Sequence, residues 1–257
     1  MLDNKEIIEN ITKFFSSGKK FLFAIDFDCN DGFVLNPEEA ATNGIFFDFL
    51  GKTNFEYSNQ ILPERKFSIK KIDYEEYKEA FDKVQMHIKR GDSFLVNLTF
   101  KTELDTDFSL REIFNYSSAK FKLLYKDKFV VFSPERFVSI KNGTIESFPM
   151  KGTIDALIEN AEEKILNDEK EFCEHTTIVD LIRNDLNIVS KKVEVVKFRY
   201  LDRIKSNRGE LLQVSSIIKG ILPDDYRKNI GELLLKMLPA GSISGAPKEK
   251  TVEIIKS

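Results

Sequence analysis

The Asn142-Gly143 pair constrains the fold of this chain more than any other feature of its sequence. An Asn-Gly pair accepts the positive φ angles of a type I′ turn, which joins two antiparallel strands through a two-residue loop. The flanking runs, 136–140 and 144–148, alternate apolar and polar residues as paired strands do. The pattern therefore predicts a hairpin in which Lys141 faces Thr144.

Counting outward in the same register pairs Glu135 with Met150 and Pro134 with Lys151. This register brings a carboxyl and an amine together at the open end of the hairpin, where side chains can converge on a ligand. Lys151 is then a candidate nucleophile, and Glu135 is a candidate proton donor. On spacing alone, the simpler interpretation is a solvated lysine before a glycine and a glutamate after a proline.

The rest of the chain reads as blocks of strands and blocks of helices, which predicts an α+β fold. Asp73 caps a predicted helix that runs to Arg90 and stops at Gly91. The run 93–101 alternates like a strand, and 158–186 reads as one long helical stretch. Strands over 193–199 and 211–220, a helix over 226–238 and a last helix begun at Gly245 complete the prediction.

Composition excludes several classes of protein. The 257 residues suffice for one large domain or two packed lobes, and the net charge of -3 comes without a basic stripe, so we expect no nucleic-acid partner. No apolar run reaches membrane-spanning length, so we expect no membrane association. The two cysteines, Cys29 and Cys173, are far apart in the sequence. This usage fits a reducing compartment and predicts a cytoplasmic protein.

Glu171 and Glu174 are three residues apart on a predicted helix, so they share one face. Two carboxylates with no cysteine partner suit a hard cation such as Mg²⁺. The alternative is an exposed acidic face of the helix. His175, next in the sequence, is interpreted as a packed, hydrogen-bonded helix residue.

The segment 241–245 carries two glycines and leads into a helix with a proline in its first turn. Such a loop directs backbone N–H groups toward an anion. The alternative is an ordinary helix start with Ser244 as its cap.

Five segments resemble, in order, the motifs of the chorismate-utilising enzymes, the family of anthranilate synthase component I, aminodeoxychorismate synthase component I, isochorismate synthase and salicylate synthase. They are 91–99, 133–137, 149–153 (Pro-Met-Lys-Gly-Thr), 174–185 and 241–248. The resemblance implies an anthranilate synthase component I-like fold of two packed lobes of largely antiparallel sheet with helices. It implies a single chorismate-binding domain over 1–257, with a short N-terminal part at 1–70 and a motif-bearing core at 71–257.

By this resemblance, Lys151 is the nucleophile, Glu135 is the general acid, and Glu171 with Glu174 supplies half of a Mg²⁺ site. The implied contacts with the substrate chorismate are Gly152, Thr153, Gln213, Gly241, Ser242, Ser244, Gly245 and Lys248.

Two positions point to the reaction. Isochorismate and salicylate synthases carry a water-activating lysine at the position of Leu95, whereas anthranilate synthases usually carry alanine at the position of Lys151. The resemblance therefore favours aminodeoxychorismate synthase, which converts chorismate and ammonia to 4-amino-4-deoxychorismate on the folate route. A separate glutamine amidotransferase would supply the ammonia. Anthranilate synthase is the alternative enzyme, and a non-catalytic chorismate-binding or docking fragment is the alternative outside enzymes.

The chain also departs from the family pattern. Gln213 stands where many members carry a histidine, and Ala240 replaces a glycine. The second pair of Mg²⁺ glutamates and the groups that grip the pyruvyl carboxylate belong to a segment that follows the last helix here, so the resemblance implies a C-terminally incomplete fold. It leaves open whether the 257 residues are active by themselves.

Overall fold

The computed structural model describes residues 2–56, 65–133, 135–206 and 209–256. The chain divides into two compact units. The N-terminal unit comprises Met1–Asp26 and Asn30–Pro134, and the C-terminal unit comprises Phe27–Cys29 and Glu135–Ser257. Both combine helices with antiparallel sheet, which confirms the α+β prediction.

The N-terminal unit is built on short antiparallel strands. They are β1 Leu22–Ile25, β2 Gly32–Leu35, β3 Ile45–Phe49, β4 Lys52–Thr53, β5 Phe67–Lys70, β6 Glu103–Thr106, β7 Phe121–Tyr125 and β8 Phe129–Ser133. The largest sheet of this unit has the order β4-β3-β7-β8, and β1 pairs with β2 and β5 with β6. Its core gathers around Ile45, Phe47 and Leu123.

Each helix of the N-terminal unit begins at a capping side chain. The helices are α1 Asn4–Ser16, α2 Pro37–Thr42, α3 Tyr74–Arg90 and α4 Leu110–Tyr116. Their caps, Asp3, Asn36, Asp73 and Ser109, accept hydrogen bonds from N–H groups of the first turn. The predicted α3 is confirmed at both ends, because Gly91 follows it with a φ of +77°.

The C-terminal unit contains one sheet whose central strand is long. Its strands are β9 Ser139–Lys141, β10 Thr144–Ser147, β11 Met150–Asp155, β12 Lys192–Ser206 and β13 Gly209–Ile221. β10 and β11 pair with successive stretches of β13, and β12 pairs along nearly its whole length. All of these pairings are antiparallel.

Helices of the C-terminal unit pack on this sheet and on one another. They are α5 Ala161–Asn167, α6 Glu169–Val189, α7 Ile230–Lys236, α8 Gly241–Ser244 and α9 Lys248–Lys256, with a 3₁₀ turn at Tyr226–Lys228. The apolar side of α6 buries Ile178, Ile182 and Leu186. α6 packs against β11, β12 and β13, and this contact positions the polar residues at its N-terminal end.

The predicted hairpin is confirmed at its turn but not at its open end. Asn142 and Gly143 have φ angles of 52° and 75°, and Lys141 pairs with Thr144. However, β10 ends at Ser147, and Met150 pairs with Ser215 of β13 instead of Glu135. Pro149 explains the break, because a residue without an N–H cannot continue the ladder. The predicted pairing of Pro134 with Lys151 lies outside the described residues.

Four other predicted elements differ from the structure. The helix predicted over 226–238 is a 3₁₀ turn at Tyr226–Lys228 followed by α7. The stretch 158–186 is two helices, because Asp168 interrupts it and caps α6 through the Glu171 N–H. The last helix does not begin at Gly245; α8 precedes that glycine and α9 follows it. Residues 93–101 form no regular strand among the described residues, because alternation marks a face of a strand but supplies no paired neighbour.

Candidate functional site

Lys151 and Gly152 lie in a bulge of β11. Met150 pairs with Ser215 and Thr153 with Gln213, so three residue steps on β11 span two on β13. Such a bulge redirects the side chains and carbonyls that it contains. Because Thr153 and Gln213 are direct cross-strand partners, their side chains share one face of the sheet.

Position 152 favours glycine. Its φ is +92°, a conformation that residues with a Cβ rarely adopt, and an added Cβ would lie 3.0 Å from Glu171 Oε2. The missing side chain of Gly152 thus makes room for the carboxylate of Glu171. The structure brings the predicted Gly152 and Glu171 into one place.

The predicted nucleophile and the predicted metal ligands are also brought together. Lys151 Nζ lies 3.4 Å from Glu174 Oε2, and the two side chains are 34% and 30% exposed. From the solvent side, Lys170 Nζ lies 3.4 Å from Glu174 Oε1 and 3.9 Å from Glu171 Oε1. The glutamate pair is therefore an anionic spot on the first turns of α6, neutralised by two lysines.

Glu135 lies near the start of the C-terminal unit and is half-buried. Burial raises the pKa of its carboxyl to about 7. A carboxyl with this pKa is partly protonated near neutral pH and can donate a proton. The strand pairing that predicted its place beside Lys151 is not formed, so the raised pKa is what supports its proposed role.

A residue of α6, Asp185, binds the start of the segment Gly241–Ser244. Asp185 Oδ2 accepts a hydrogen bond from the Gly241 N–H at 2.9 Å, and Asp185 Oδ1 lies 2.7 Å from Lys248 Nζ. A Cβ on Gly241 would lie 2.7 Å from Asp185 Oδ2, so the approach requires glycine. Burial raises the pKa of Asp185, and the hydrogen bond and charge of Lys248 oppose that shift.

Ser244 does not act as the helix cap of the alternative interpretation. It is buried, its hydroxyl donates to the Ala240 carbonyl at 3.1 Å, and Gly245 separates it from α9. Ser242 is half-buried and Gly245 is buried with a φ of +89°. The ammonium of Lys248 also donates to the Met237 carbonyl at 3.1 Å. Lys248 thus holds the loop in place, and its contact with a substrate stays a prediction.

Sequence reasoning missed the role of Asp185. From spacing alone, Asp180, Arg183 and Asp185 form a charge network at the end of a helix, and the first two do pair, at 2.6 Å. Asp185 instead turns inward and binds Gly241. Asp185 follows the buried Leu181 by one helical turn and so lies on the buried face of α6. This spacing distinguishes it from the exposed Asp180.

His175 is confirmed as a packed, hydrogen-bonded helix residue. It is fully buried, and its ring contacts the Lys151 carbonyl through Nδ1 at 3.2 Å and the Ser216 hydroxyl through Nε2 at 2.7 Å. Burial is the main cause that lowers the pKa of His175. The residue next to the glutamate pair is therefore neutral and fixed.

Within the described ranges, no three His, Cys, Asp or Glu side chains gather closely enough to hold a metal ion by themselves. The donor set is two glutamate carboxylates one turn apart. Oxygen ligands suit Mg²⁺, which commonly takes one or two protein carboxylates and completes its shell with water and substrate. The pair fits that mode of binding. The described residues also include no helix long and apolar enough to cross a membrane.

Comparison with known proteins assigns the chain to a family: it belongs to the chorismate-binding enzymes, because the family model described as "chorismate binding enzyme" matches residues 51–257. Its relatives include an uncharacterized PabA-like protein of Pasteurella multocida, 44% identical over 250 residues, which cover 96% of this chain and 77% of the relative. Aminodeoxychorismate synthase component 1 of Salmonella typhimurium is 32% identical over 70% of this chain and 40% of its own length. Anthranilate synthase component 1 of Acetivibrio thermocellus is 31% identical over 72% and 39%.

A solved structure confirms the fold. The 2,3-dihydroxybenzoate-specific isochorismate synthase of Bacillus anthracis superposes with a TM-score of 0.64 over 99% of this chain and 71% of that chain. The two sequences are 20% identical. The predicted anthranilate synthase component I-like fold class is confirmed at this level.

Proposed function

We propose that this protein is an aminodeoxychorismate synthase component I, which converts chorismate and ammonia to 4-amino-4-deoxychorismate for the synthesis of para-aminobenzoate and folate. The observation that carries the proposal is Lys151, held in a strand bulge with its amine 3.4 Å from Glu174. Membership of the chorismate-binding enzymes supplies the substrate class. The relative from Salmonella typhimurium carries the proposed activity in its name.

In the proposed reaction, the neutral amine of Lys151 attacks the chorismate ring. A C–N bond forms, the ring C–O bond breaks, and Glu135 protonates the departing hydroxyl, which leaves as water. Ammonia then attacks the ring, and the bond to Lys151 breaks. The lysine returns as a free amine, and the ionised Glu135 accepts the proton that ammonia loses. The raised pKa of Glu135 supports its part, because an acid with a pKa of about 7 can both give and take a proton near neutrality.

We further propose that Glu171 and Glu174 hold a Mg²⁺ ion. The ion would neutralise a carboxylate of the bound substrate. Binding of Mg²⁺ by Glu174 would require the Lys151 amine to move away from the Glu174 carboxylate. This movement would direct the amine toward the chorismate ring. The remaining substrate contacts are assigned to Gly152, Thr153, Gln213, Gly241, Ser242, Ser244, Gly245 and Lys248.

The ammonia would come from a glutamine amidotransferase subunit. We place the reaction in the cytoplasm, as the cysteine usage suggests. Neither assignment is needed for the tests that follow, because ammonium salts can replace the amidotransferase.

The central test is trapping of the covalent intermediate. The protein is incubated with chorismate and Mg²⁺ without ammonia, and its intact mass is measured. Wild type should gain the mass of chorismate less water, and Lys151→Ala should not. Lys170→Ala is the matched control, because Lys170 contacts the same Glu174 from the exposed side and should leave the adduct intact. A mass gain of equal size in Lys151→Ala, or none in wild type, would remove Lys151 as the nucleophile.

The metal assignment has a binding test of its own. Mg²⁺ titrated into the protein by calorimetry should give a signal that Glu171→Gln and Glu174→Gln each weaken. Asp180→Asn, an exposed carboxylate on the same helix, is the control. Titration curves that are identical in wild type and both glutamine variants would return the pair to a solvated acidic face.

Anthranilate synthase remains the second candidate, because a relative of that activity is 31% identical. The two reactions are distinguished by whether the product keeps its enolpyruvyl group. Mass spectrometry of the product formed with ammonium should show that the enolpyruvyl group is retained. A product that has lost it would favour the anthranilate synthase assignment, and binding of chorismate without adduct or product would favour a binding module.

A further inference from the structure

His175 contacts residues of two strand bulges that flank β13, one opposite Val214 and the other opposite Ser216. On one side, Lys151 and Gly152 bulge from β11. On the other, the register between β12 and β13 also shifts, so that Phe198 and Arg199 are bulged between Lys197 and Tyr200. The ring of Phe198 stacks edge-to-face on His175 at 5.7 Å between centroids. The histidine fills the space that the two bulges leave at the surface of α6.

The hydrogen bonds around His175 determine which ring nitrogen donates and which accepts. The Lys151 carbonyl can only accept, so Nδ1 of His175 carries the proton and donates to it at 3.2 Å. In the neutral ring, Nε2 then accepts from the Ser216 hydroxyl at 2.7 Å. That hydroxyl oxygen accepts in turn from the Arg199 N–H at 3.0 Å. The chain of bonds therefore runs from β12 through Ser216 and His175 to the backbone of Lys151.

This chain of bonds is fully buried at its centre. His175 and Ser216 are both 0% exposed. A buried polar group that loses its partner is destabilised by its lost hydration, so neither ring nitrogen gives up its bond at low cost. The ring is consequently held in one tautomer and one orientation, and it transmits that orientation to the Lys151 carbonyl.

We propose that His175 is a positioning residue for Lys151: by binding the Lys151 carbonyl it holds the bulge in the shape that presents the amine, and Ser216 holds His175. The proposal rests on the proposed function, which gives the amine its reaction. His175 itself does not touch the substrate. It acts through the backbone of the reacting residue, from a helix position directly after Glu174.

Two substitutions separate the two hydrogen bonds of the ring. The amide of asparagine reaches as far as Nδ1 of histidine, so His175→Asn keeps a donor for the Lys151 carbonyl and loses Ser216. The amide of glutamine reaches as far as Nε2, so His175→Gln keeps Ser216 and loses the Lys151 carbonyl. Each variant leaves one buried partner unpaired, so their melting temperatures should fall by similar amounts.

The first readout needs no chorismate. Surface lysines are acetylated with a limiting amount of an N-hydroxysuccinimide ester, and the rate at Lys151 relative to Lys170 is measured by peptide mass spectrometry. We expect His175→Gln to change this ratio by about tenfold and His175→Asn by less than about twofold, since the reaction with the ester depends on the exposure of the amine and on its contact with Glu174, and both depend on the shape of the bulge. Equal ratios in the two variants would show that His175 is only a packing residue.

The second readout is the dependence of adduct formation on chorismate concentration. His175→Gln should lower the maximal rate of adduct formation about tenfold and leave the half-saturating concentration nearly unchanged, because the amine is misplaced while the binding groups remain. His175→Asn should recover most of that rate. A rise in the half-saturating concentration with an unchanged maximal rate would overturn the proposal.

A third variant covers the case in which neither substitution at 175 folds. Ser216→Ala keeps His175 and its bond to Lys151 but removes the group that orients the ring. It should change the acetylation ratio measurably but by less than about twofold, as expected for His175→Asn, which loses the same bond, and an unaltered ratio would contradict the proposed chain of bonds. If wild type forms no adduct at all while the acetylation ratios behave as expected, the proposed function fails and the positioning role stands.

Discussion

Two lysines, one in each unit, are held in opposite ways. Lys122 of β7 is 1% exposed, and its ammonium donates to the Phe114 and Ser117 carbonyls, both at 2.8 Å. Its strand partner is Asp48, whose charge opposes the fall in the pKa of Lys122 that burial causes. Lys151 of β11 is 34% exposed, and its partner, Glu174, is shared with Lys170.

The difference shows that burial by itself does not make a lysine reactive. The protons of Lys122 are committed to the last carbonyls of α4, where a cation also interacts favourably with the helix dipole. Releasing them would leave buried acceptors unpaired. Lys151 has a carboxylate that another cation can take over, so its amine can leave at small cost. Lys122 is therefore a structural residue, and Lys151 is free to change partners.

The largest expected effect tests this difference directly. Lys122→Met should lower the free energy of unfolding by about 3 kcal/mol, because two carbonyls lose their donor and Asp48 loses the positive charge near it. Lys151→Met should change it by less than about 0.5 kcal/mol. Urea denaturation followed by circular dichroism suits a chain that has no tryptophan. Similar losses in the two variants would erase the distinction between the lysines.

Burial shifts the pKa of the acidic side chain of Glu135, as it shifts that of Lys122. The pKa of Glu135 in the folded protein, about 7, exceeds the ordinary value of 4.5, so the folded state binds the proton more tightly. The stability that this provides is complete below pH 4.5 and is lost as the pH rises through 7. Glu135→Gln should therefore match wild type at pH 4.5 and exceed its free energy of unfolding by on the order of 2 kcal/mol at pH 8.

The same carboxyl gives a kinetic expectation. The rate of adduct formation should fall as the pH rises through about 7, because the proton donor is lost. A difference in stability between wild type and Glu135→Gln that stays constant from pH 4.5 to pH 8 would mean that the carboxyl titrates at its ordinary value.

Glycines in the two units provide a smaller, matched effect. Gly152→Ala and Gly51→Ala should each lower the free energy of unfolding by about 1 kcal/mol, since both positions have positive φ angles, +92° and +80°. Only the Cβ at 152 meets a carboxylate, that of Glu171, at 3.0 Å, whereas the Cβ at 51 meets nothing within 4 Å. Mg²⁺ titration should therefore be weakened in Gly152→Ala alone. Equal Mg²⁺ binding by both variants would show that Glu171 is not a ligand of the Mg²⁺ ion.

The smallest expected effect concerns Lys170, whose side chain is 77% exposed. Lys170→Gln should change the free energy of unfolding by less than about 0.5 kcal/mol, because exposed ion pairs contribute little. Adduct formation at Lys151 should persist, because Lys170 contacts Glu174 from the exposed side and takes no part in the proposed reaction. Loss of the adduct in this variant, measured by intact mass, would make the two lysines equivalent.

Local signals predicted much of this molecule. The Asn142-Gly143 turn and the cap and stop of α3 depend on neighbouring residues, so a pattern can identify them. Glu171 and Glu174 share a face because helical spacing requires it. The blocks of strands and helices predict the α+β class, whereas the anthranilate synthase component I-like fold and the proposed roles depend on the resemblance of the five motifs.

What the sequence did not predict depends on partners distant in the chain. Met150 pairs with Ser215, sixty-odd residues away, and no local pattern distinguishes that partner from Glu135. Asp185 binds Gly241 across a similar distance. The run 93–101 shows the converse, since its alternation is clear but regular strand pairing does not follow. Pairing is a tertiary property, and periodicity reports only which residues face the same way.

The extra residue of the β11 bulge is needed for the candidate site but not for the pairing of the sheet. Met150 and Thr153, on either side of the bulge, pair with Ser215 and Gln213, which have one residue between them. A regular ladder would likewise have one residue between Met150 and Thr153, whereas the bulge has two. Deleting Gly152 would therefore leave the pairing of the whole sheet intact and yet remove both the space for Glu171 and the carbonyl geometry that His175 uses. Chain length at this one point, more than residue identity, marks the difference between a plain antiparallel sheet and one that carries a site.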